Sequence, residues 1–133
     1  MILTLILFTL LNIVLAALDA SRIKKGKTIN HALNAVIYTA LVSGTYFLFH
    51  NWFMIAALFF NRLVFFNISL SLFRGLPAFY ISPKPASVID KIAKSIFGKK
   101  GWLMYLVYAI IFAASAITAI AGRSYLEYQI IQL

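Results

Sequence analysis

The sequence predicts an all-α integral membrane protein: four transmembrane helices plus one short cytoplasmic interfacial amphipathic helix. Three observations carry this. Four long apolar runs fill most of the 133 residues. Charged residues make up only 11% of the chain against 63% hydrophobic, where a soluble domain carries about a quarter. Almost every lysine and arginine falls in two of the gaps between runs. Lipid is therefore the solvent for most of the chain. Hydrocarbon offers the backbone no hydrogen-bond partner, so each span must be helical. The length allows one membrane domain, 1–133, with no separate soluble module.

The spans are expected at 1–18, 29–49, 52–73 and 102–121. Each approaches the ~20 residues a helix needs to cross the hydrocarbon core. The first is interrupted only by Thr4, Thr9 and Asn12. No basic residue precedes it, and Arg22, Lys24, Lys25 and Lys27 follow it. That order fits a retained span with the N-terminus outside rather than a cleaved signal peptide.

Loop charge sets the topology. Arg22 to Lys27 lie between spans one and two. Lys84, Lys91, Lys94, Lys99 and Lys100, with Arg74 at the edge, lie between spans three and four. Spans two and three are joined by little more than His50-Asn51. Both basic loops are thus expected in the cytoplasm and both termini outside, in a bacterial inner membrane. Tyr46 and Trp52 would mark the outer interface, Tyr80 and Trp102 the inner one.

The long inner loop has its own element. Gly75, Pro77, Pro83 and Pro85 break the third helix. Ser87 then reads as an N-cap with Asp90 near the positive helix end. Val88, Ile89, Ile92, Ala93, Ile96 and Phe97 recur at helical spacing, and Gly98 is a natural stop. A helix over 87–97 would lie in the cytoplasmic interface. Lys91, Lys94, Lys99 and Lys100 would meet anionic headgroups at roughly 1 kcal/mol each.

Helices in lipid associate through small residues. Ala35, Thr39 and Ser43 in span two, and Ala114, Thr118 and Gly122 in span four, recur every fourth position. These two helices are expected to make the closest contacts, within the chain or between chains. Span three carries Phe53, Phe59, Phe60, Phe65, Phe66 and Phe73, which suits lipid contact or a looser groove.

Polar residues inside the spans are the candidate functional groups. Counted from the cytoplasmic ends, Asn12, Asn34 and Asn67 fall at similar depth, roughly 7–10 Å inside the boundary. At least two of them are expected to share a polar layer, as structural glue or as a vestibule. Arg62, beside Asn61, is near the middle of span three. A mid-membrane arginine is costly and usually faces protein or a water-filled cavity. With no Asp or Glu inside the expected spans, its candidate partners are Tyr38, Thr39, Ser43, Ser115, another subunit or an anionic ligand. Asp19, Arg22, His31, Arg74, Tyr80 and Asp90 gather at the inner edge, a candidate headgroup site.

Catalytic signatures are missing. There is no cysteine and no His-rich box, phosphate loop or nucleophile elbow, so no catalytic residue, cofactor or metal site is assigned. The net charge of +9 is what basic loops beside membrane spans produce, with no folded basic domain for nucleic acid.

Size and span number resemble small multidrug-resistance transporters and some phage holins. The likeness is one of plan. The transporter signature is a glutamate in the first span, and here Asn12 is the only strongly polar residue there, so no residue role carries over. The expected function is non-enzymatic, by homo-oligomer or partner assembly with anionic-lipid contact. A pore-forming, holin-like or anion-passing role is a specific form of it. The alternative is a lipid-headgroup-binding protein or enzyme at the cytoplasmic interface.

Overall fold

The computed structural model describes residues 1–29, 31–81, 88–98 and 100–131. These residues form helices and no strand. In order they are α1 (Ile2–Lys24), α2 (His31–Phe49), α3 (Trp52–Asn61), a π-helical turn (Arg62–Phe66), α4 (Asn67–Phe73), α5 (Val88–Phe97) and α6 (Gly101–Ile131). α3, the π turn and α4 form one rod, Trp52–Phe73. Among the described residues three helical segments are long and apolar enough to cross a membrane: Ile2–Lys24, Trp52–Phe73 and Gly101–Gly122. A fourth apolar helix, Leu33–Phe49, is shorter.

α1 continues past the expected end at residue 18. Nothing in Asp19-Ala20-Ser21-Arg22-Ile23-Lys24 breaks a helix, so it runs on until Gly26 takes a left-handed φ of 68°. The Gly26 and Lys27 amides then donate to Ile23 O (2.9 Å) and Arg22 O (3.0 Å), closing the last turn. Asp19 therefore belongs to a membrane helix and is only 5% exposed. The expectation that no span contains a carboxylate is corrected accordingly. α6 likewise runs beyond residue 121, to Ile131.

The Trp52–Phe73 rod is the hub. α6 packs along α3, α2 packs against α3, and α1 packs mainly on the π turn and α4. Met54, Ala57, Leu58, Asn61 and Val64 are buried at spacings that place them on one side of the rod. They meet Leu5 of α1, Tyr38 and Val42 of α2, and Ala116 and Ala119 of α6. Ala57, Ala116 and Ala119 are small enough to let α3 and α6 approach closely.

Within the chain this corrects the expected pairing of α2 with α6, which share no extended packed face among the described residues. The reason is geometric. A two-residue hairpin with His50 at φ 48° folds α2 onto α3. Asn51 then caps α3 through its Oδ1, accepting from Phe53 N (2.9 Å) and Met54 N (3.2 Å), while its Nδ2 donates to Ala119 O of α6 (3.2 Å). α6 is thereby docked through Ala116 and Ala119. Its stripe of Ala114 and Thr118 starts two residues away, about 200° round the helix, and is exposed. Ala35, Thr39 and Ser43 of α2 are exposed as well. On the rod, Phe53, Phe59 and Phe73 do point outward, so one helix serves both lipid and core.

The end of the bundle where α4 stops and α6 begins is held by a second cluster. Met104 and Tyr105 of α6 are buried against Ile68, Ile81, Phe97 and Tyr108, seating α5 and the preceding loop on α6. At the other end Tyr46 and Trp52 stack with ring centroids 4.6 Å apart.

Candidate functional site

Where α1, α2 and the rod converge, two asparagines are fully enclosed. Asn12 and Asn61 are both 0% exposed. Asn12 Nδ2 donates to Asn61 Oδ1 (2.8 Å) and to the Tyr38 hydroxyl (3.3 Å). Asn61 Nδ2 donates to Thr9 Oγ1 (2.7 Å), which donates in turn to Leu5 O (2.9 Å). The Tyr38 hydroxyl donates to Leu58 O (2.8 Å). Among the described residues no buried side-chain nitrogen or oxygen lacks a partner. Hydrocarbon would offer these groups nothing, so they satisfy one another.

Arg62 joins this layer from the next position along the rod. Its Nη1 donates to Asn12 Oδ1 at 3.3 Å. Its guanidinium carbon lies 4.4 Å from the centre of the Tyr38 ring and 4.3 Å from that of Phe66. Consecutive residues of a regular α-helix diverge by about 100°. The π turn that begins at Arg62 widens the helix, and Asn61 and Arg62 both reach Asn12. Such turns are frequent at functional positions.

Beside Arg62 lies a recess of ≈ 100 Å³ lined by Leu15, Asn34, Ile37, Tyr38, Leu41 and Arg62. It occupies the gap between α1 and α2, which share no extended packed face. Toward the C-terminal end of α1, Asn34 Nδ2 donates to Asp19 Oδ2 (3.3 Å), and Arg22 Nη1 stands 3.8 Å from Asp19 Oδ1. Asp19 is also within electrostatic reach of Arg62. A wider hollow of ≈ 400 Å³ between α1 and the end of α4 is lined by Ala17, Ala20, Ser21, Lys24, Lys25 and Phe73.

The asparagine layer thus differs in membership from the expected one. Asn34 bonds to Asp19 rather than to Asn12, and no hydrogen bond joins Asn67 to either among the described residues. Of the expected partners of Arg62, Tyr38 is in place, and no hydrogen bond from Thr39, Ser43 or Ser115 is found among the described residues. Thr9 is the member that sequence reasoning misses, although it stands three residues before Asn12 on the same helix face. Of the expected inner-edge group, Asp19 meets Arg22, while Arg74 is exposed and neither it nor Tyr80 makes a side-chain hydrogen bond or ion pair with them among the described residues. The side chains of His31 and Asp90, together with Ser87 and Lys99, lie outside the described residues. On α5, Lys91, Ile92 and Ile96 are exposed and Lys94 is half-buried. Among the described residues no three potential metal ligands cluster.

Apolar rods closed around a hydrogen-bonded interior define the class: a helical integral membrane protein. No family model matches the chain, and no curated protein or solved structure matches it either.

Proposed function

We propose that this chain is a four-span, non-enzymatic protein of the bacterial inner membrane. It works by assembly, with copies of itself or with another membrane protein, while resting on anionic lipid at the cytoplasmic face. The observation that carries the reading is the inverted polarity of the bundle. Leu10, Val14, Val36, Ile110 and Ile117 face outward, while Asn12, Asn61 and Asp19 are enclosed. Water would select the opposite arrangement.

α2 supplies the fourth crossing in this reading. At 1.5 Å per residue its 17-residue apolar stretch Leu33–Phe49 covers about 26 Å, close to the ~30 Å of the core. Four crossings place both basic loops on one side, as the positive-inside rule requires. Assembly is supported by the small-residue faces of α2 and α6, which stay exposed within one chain. Lipid contact is supported by α5, where Ile92 and Ile96 are exposed beside Lys91, the pattern of a helix lying in the headgroup boundary. A pore or anion-passing form would run past Arg62. The closed hydrogen bonding of Asn12, Asn61, Thr9 and Tyr38 favours a sealed layer instead.

Two measurements test this. A cysteine placed at Lys25 or Lys94 should resist a membrane-impermeant maleimide in intact cells and react once the cells are opened, while one at His50 should react from outside. Labelling at 25 or 94 from outside inverts the topology. Native mass spectrometry of the detergent-extracted protein should give multiples of the 14.9 kDa chain carrying acidic phospholipid. A bare single chain from gentle extraction removes the assembly reading.

A further inference from the structure

We infer that the recess between α1 and α2 is a binding site for an anionic amphiphile, a carboxylate or phosphate on an aliphatic chain, whose head pairs with Arg62. This rests on the membrane-crossing arrangement proposed above, but not on assembly.

Three features converge on it. The first is a guanidinium far from either helix end. Arg62 has five N–H donors, and one hydrogen bond is found for it among the described residues, the 3.3 Å contact to Asn12 Oδ1. The Tyr38 and Phe66 rings fix its position without taking its hydrogens. A charge of this kind inside a membrane marks a pathway or a ligand counter-ion. The second is free space at that charge. The ≈ 100 Å³ recess is several times the ~10–15 Å³ that one water requires. That suits one carboxylate or phosphate head, whereas an α-helix about 10 Å across cannot enter. The third is the character of the walls. Leu15, Ile37 and Leu41 line the recess together with Arg62, and Leu41 is itself half-exposed at the outer surface of the bundle. An aliphatic tail can therefore leave the recess sideways into lipid.

Among the described residues Asp19 is the one carboxylate nearby. Its two oxygens are already engaged, by Asn34 and Arg22. Two guanidiniums, Arg22 and Arg62, against one carboxylate leave the cleft with an excess positive charge. The amphiphile would enter between α1 and α2 from the cytoplasmic leaflet, past Asn34, which lies close to the inner end of α2.

The test is equilibrium binding of radiolabelled dodecyl phosphate to the full chain in dodecyl maltoside. Saturable binding is expected, with competition by dodecanoate and none by inorganic phosphate at equal concentration. Arg62→Gln should weaken binding roughly tenfold or more, the loss expected for one charge-assisted hydrogen bond. Arg62→Lys should retain most of it. Leu41→Trp fills the recess from its exposed side, leaves Arg62 untouched and should abolish binding, so the site is testable even where Arg62→Gln does not fold. Unchanged binding in Leu41→Trp and in a folded Arg62→Gln overturns the site. Competition by inorganic phosphate equal to that of dodecyl phosphate overturns the amphiphile, since a free anion would then be the ligand. Carbonate extraction of membranes reports separately on the membrane arrangement. A chain released by carbonate removes that arrangement whatever the binding result.

Discussion

Replacing Asn61 with leucine should lower stability by about 2–3 kcal/mol, a large effect for one position inside a membrane bundle. Asn61 ties the rod to α1 twice, at Asn12 (2.8 Å) and Thr9 (2.7 Å). Interhelical hydrogen bonds in membranes average about 0.6 kcal/mol with a maximum near 1.7, so two of them supply only part of this. The rest comes from what is left behind. One Asn12 N–H loses its acceptor at a fully enclosed position, and a buried unmade donor costs about 1–3 kcal/mol. A double-mutant cycle with Asn12→Leu separates the two terms. Removing both amides should cost clearly less than the sum of the single changes, because no amide is then stranded. Unfolding followed by steric trapping in bicelles measures it. Additive costs, or none for Asn61→Leu alone, would contradict the network.

How much of this site is legible in the sequence turns on one helix end. The apolar pattern locates the helices, since hydropathy alone marks where a chain enters lipid. Depth counted from residue 18, where apolarity stops, starts from the wrong place, because α1 is helical to Lys24. Six extra residues amount to about 9 Å of rise. That moves Asn12 away from the end of α1 and toward the level of Asn61 and Arg62. With the corrected end, the grouping of Asn12, Asn34 and Asn67 dissolves. Asp19 and Asn34 fall together near the C-terminal end of α1, and Asn12 falls to Asn61. Hydropathy reports where lipid ends, while helix ends are set by local signals, here Gly26.

The partner choice of the helices is harder to read for a different reason. Small-residue spacing shows that a helix face can be approached, not what approaches it. α2 and α6 both carry such faces and both present them outward. The rod that serves as the hub looks the least suited in sequence, because its phenylalanines dominate the composition. Its inner side is Met54, Ala57, Leu58 and Asn61, and only the angular separation of these from Phe53 and Phe59 shows that a hub face exists. The π turn has no sequence signal here. Without it, the convergence of two consecutive polar side chains on one amide is equally invisible.

Gly101→Ala should destabilise the protein by about 1–3 kcal/mol, against the ordinary trend for such a change. In a helix, glycine to alanine normally stabilises by about 0.4–1 kcal/mol, because the unfolded chain loses freedom. Gly101 opens α6 and is buried. A Cβ there would run into the Phe79 carbonyl oxygen and stand 3.3 Å from Ile81 Cγ1. The first of these is backbone, so the 79–81 segment itself must move. Phe79 packs on Tyr105 at 5.6 Å between ring centroids, and Ile81 packs on the Met104 cluster that also takes Phe97 of α5. Displacing the segment therefore loosens the seat of α5 on α6. Faster tryptic cleavage after Arg74, exposed at the end of α4, should accompany the loss of stability. Gly44 gives the control: it is exposed in α2, and a methyl group added there would meet nothing within 4 Å, so Gly44→Ala should shift stability the other way. The same direction of change in both variants would mean that the close approach of the Phe79 carbonyl to Gly101 does not govern this junction.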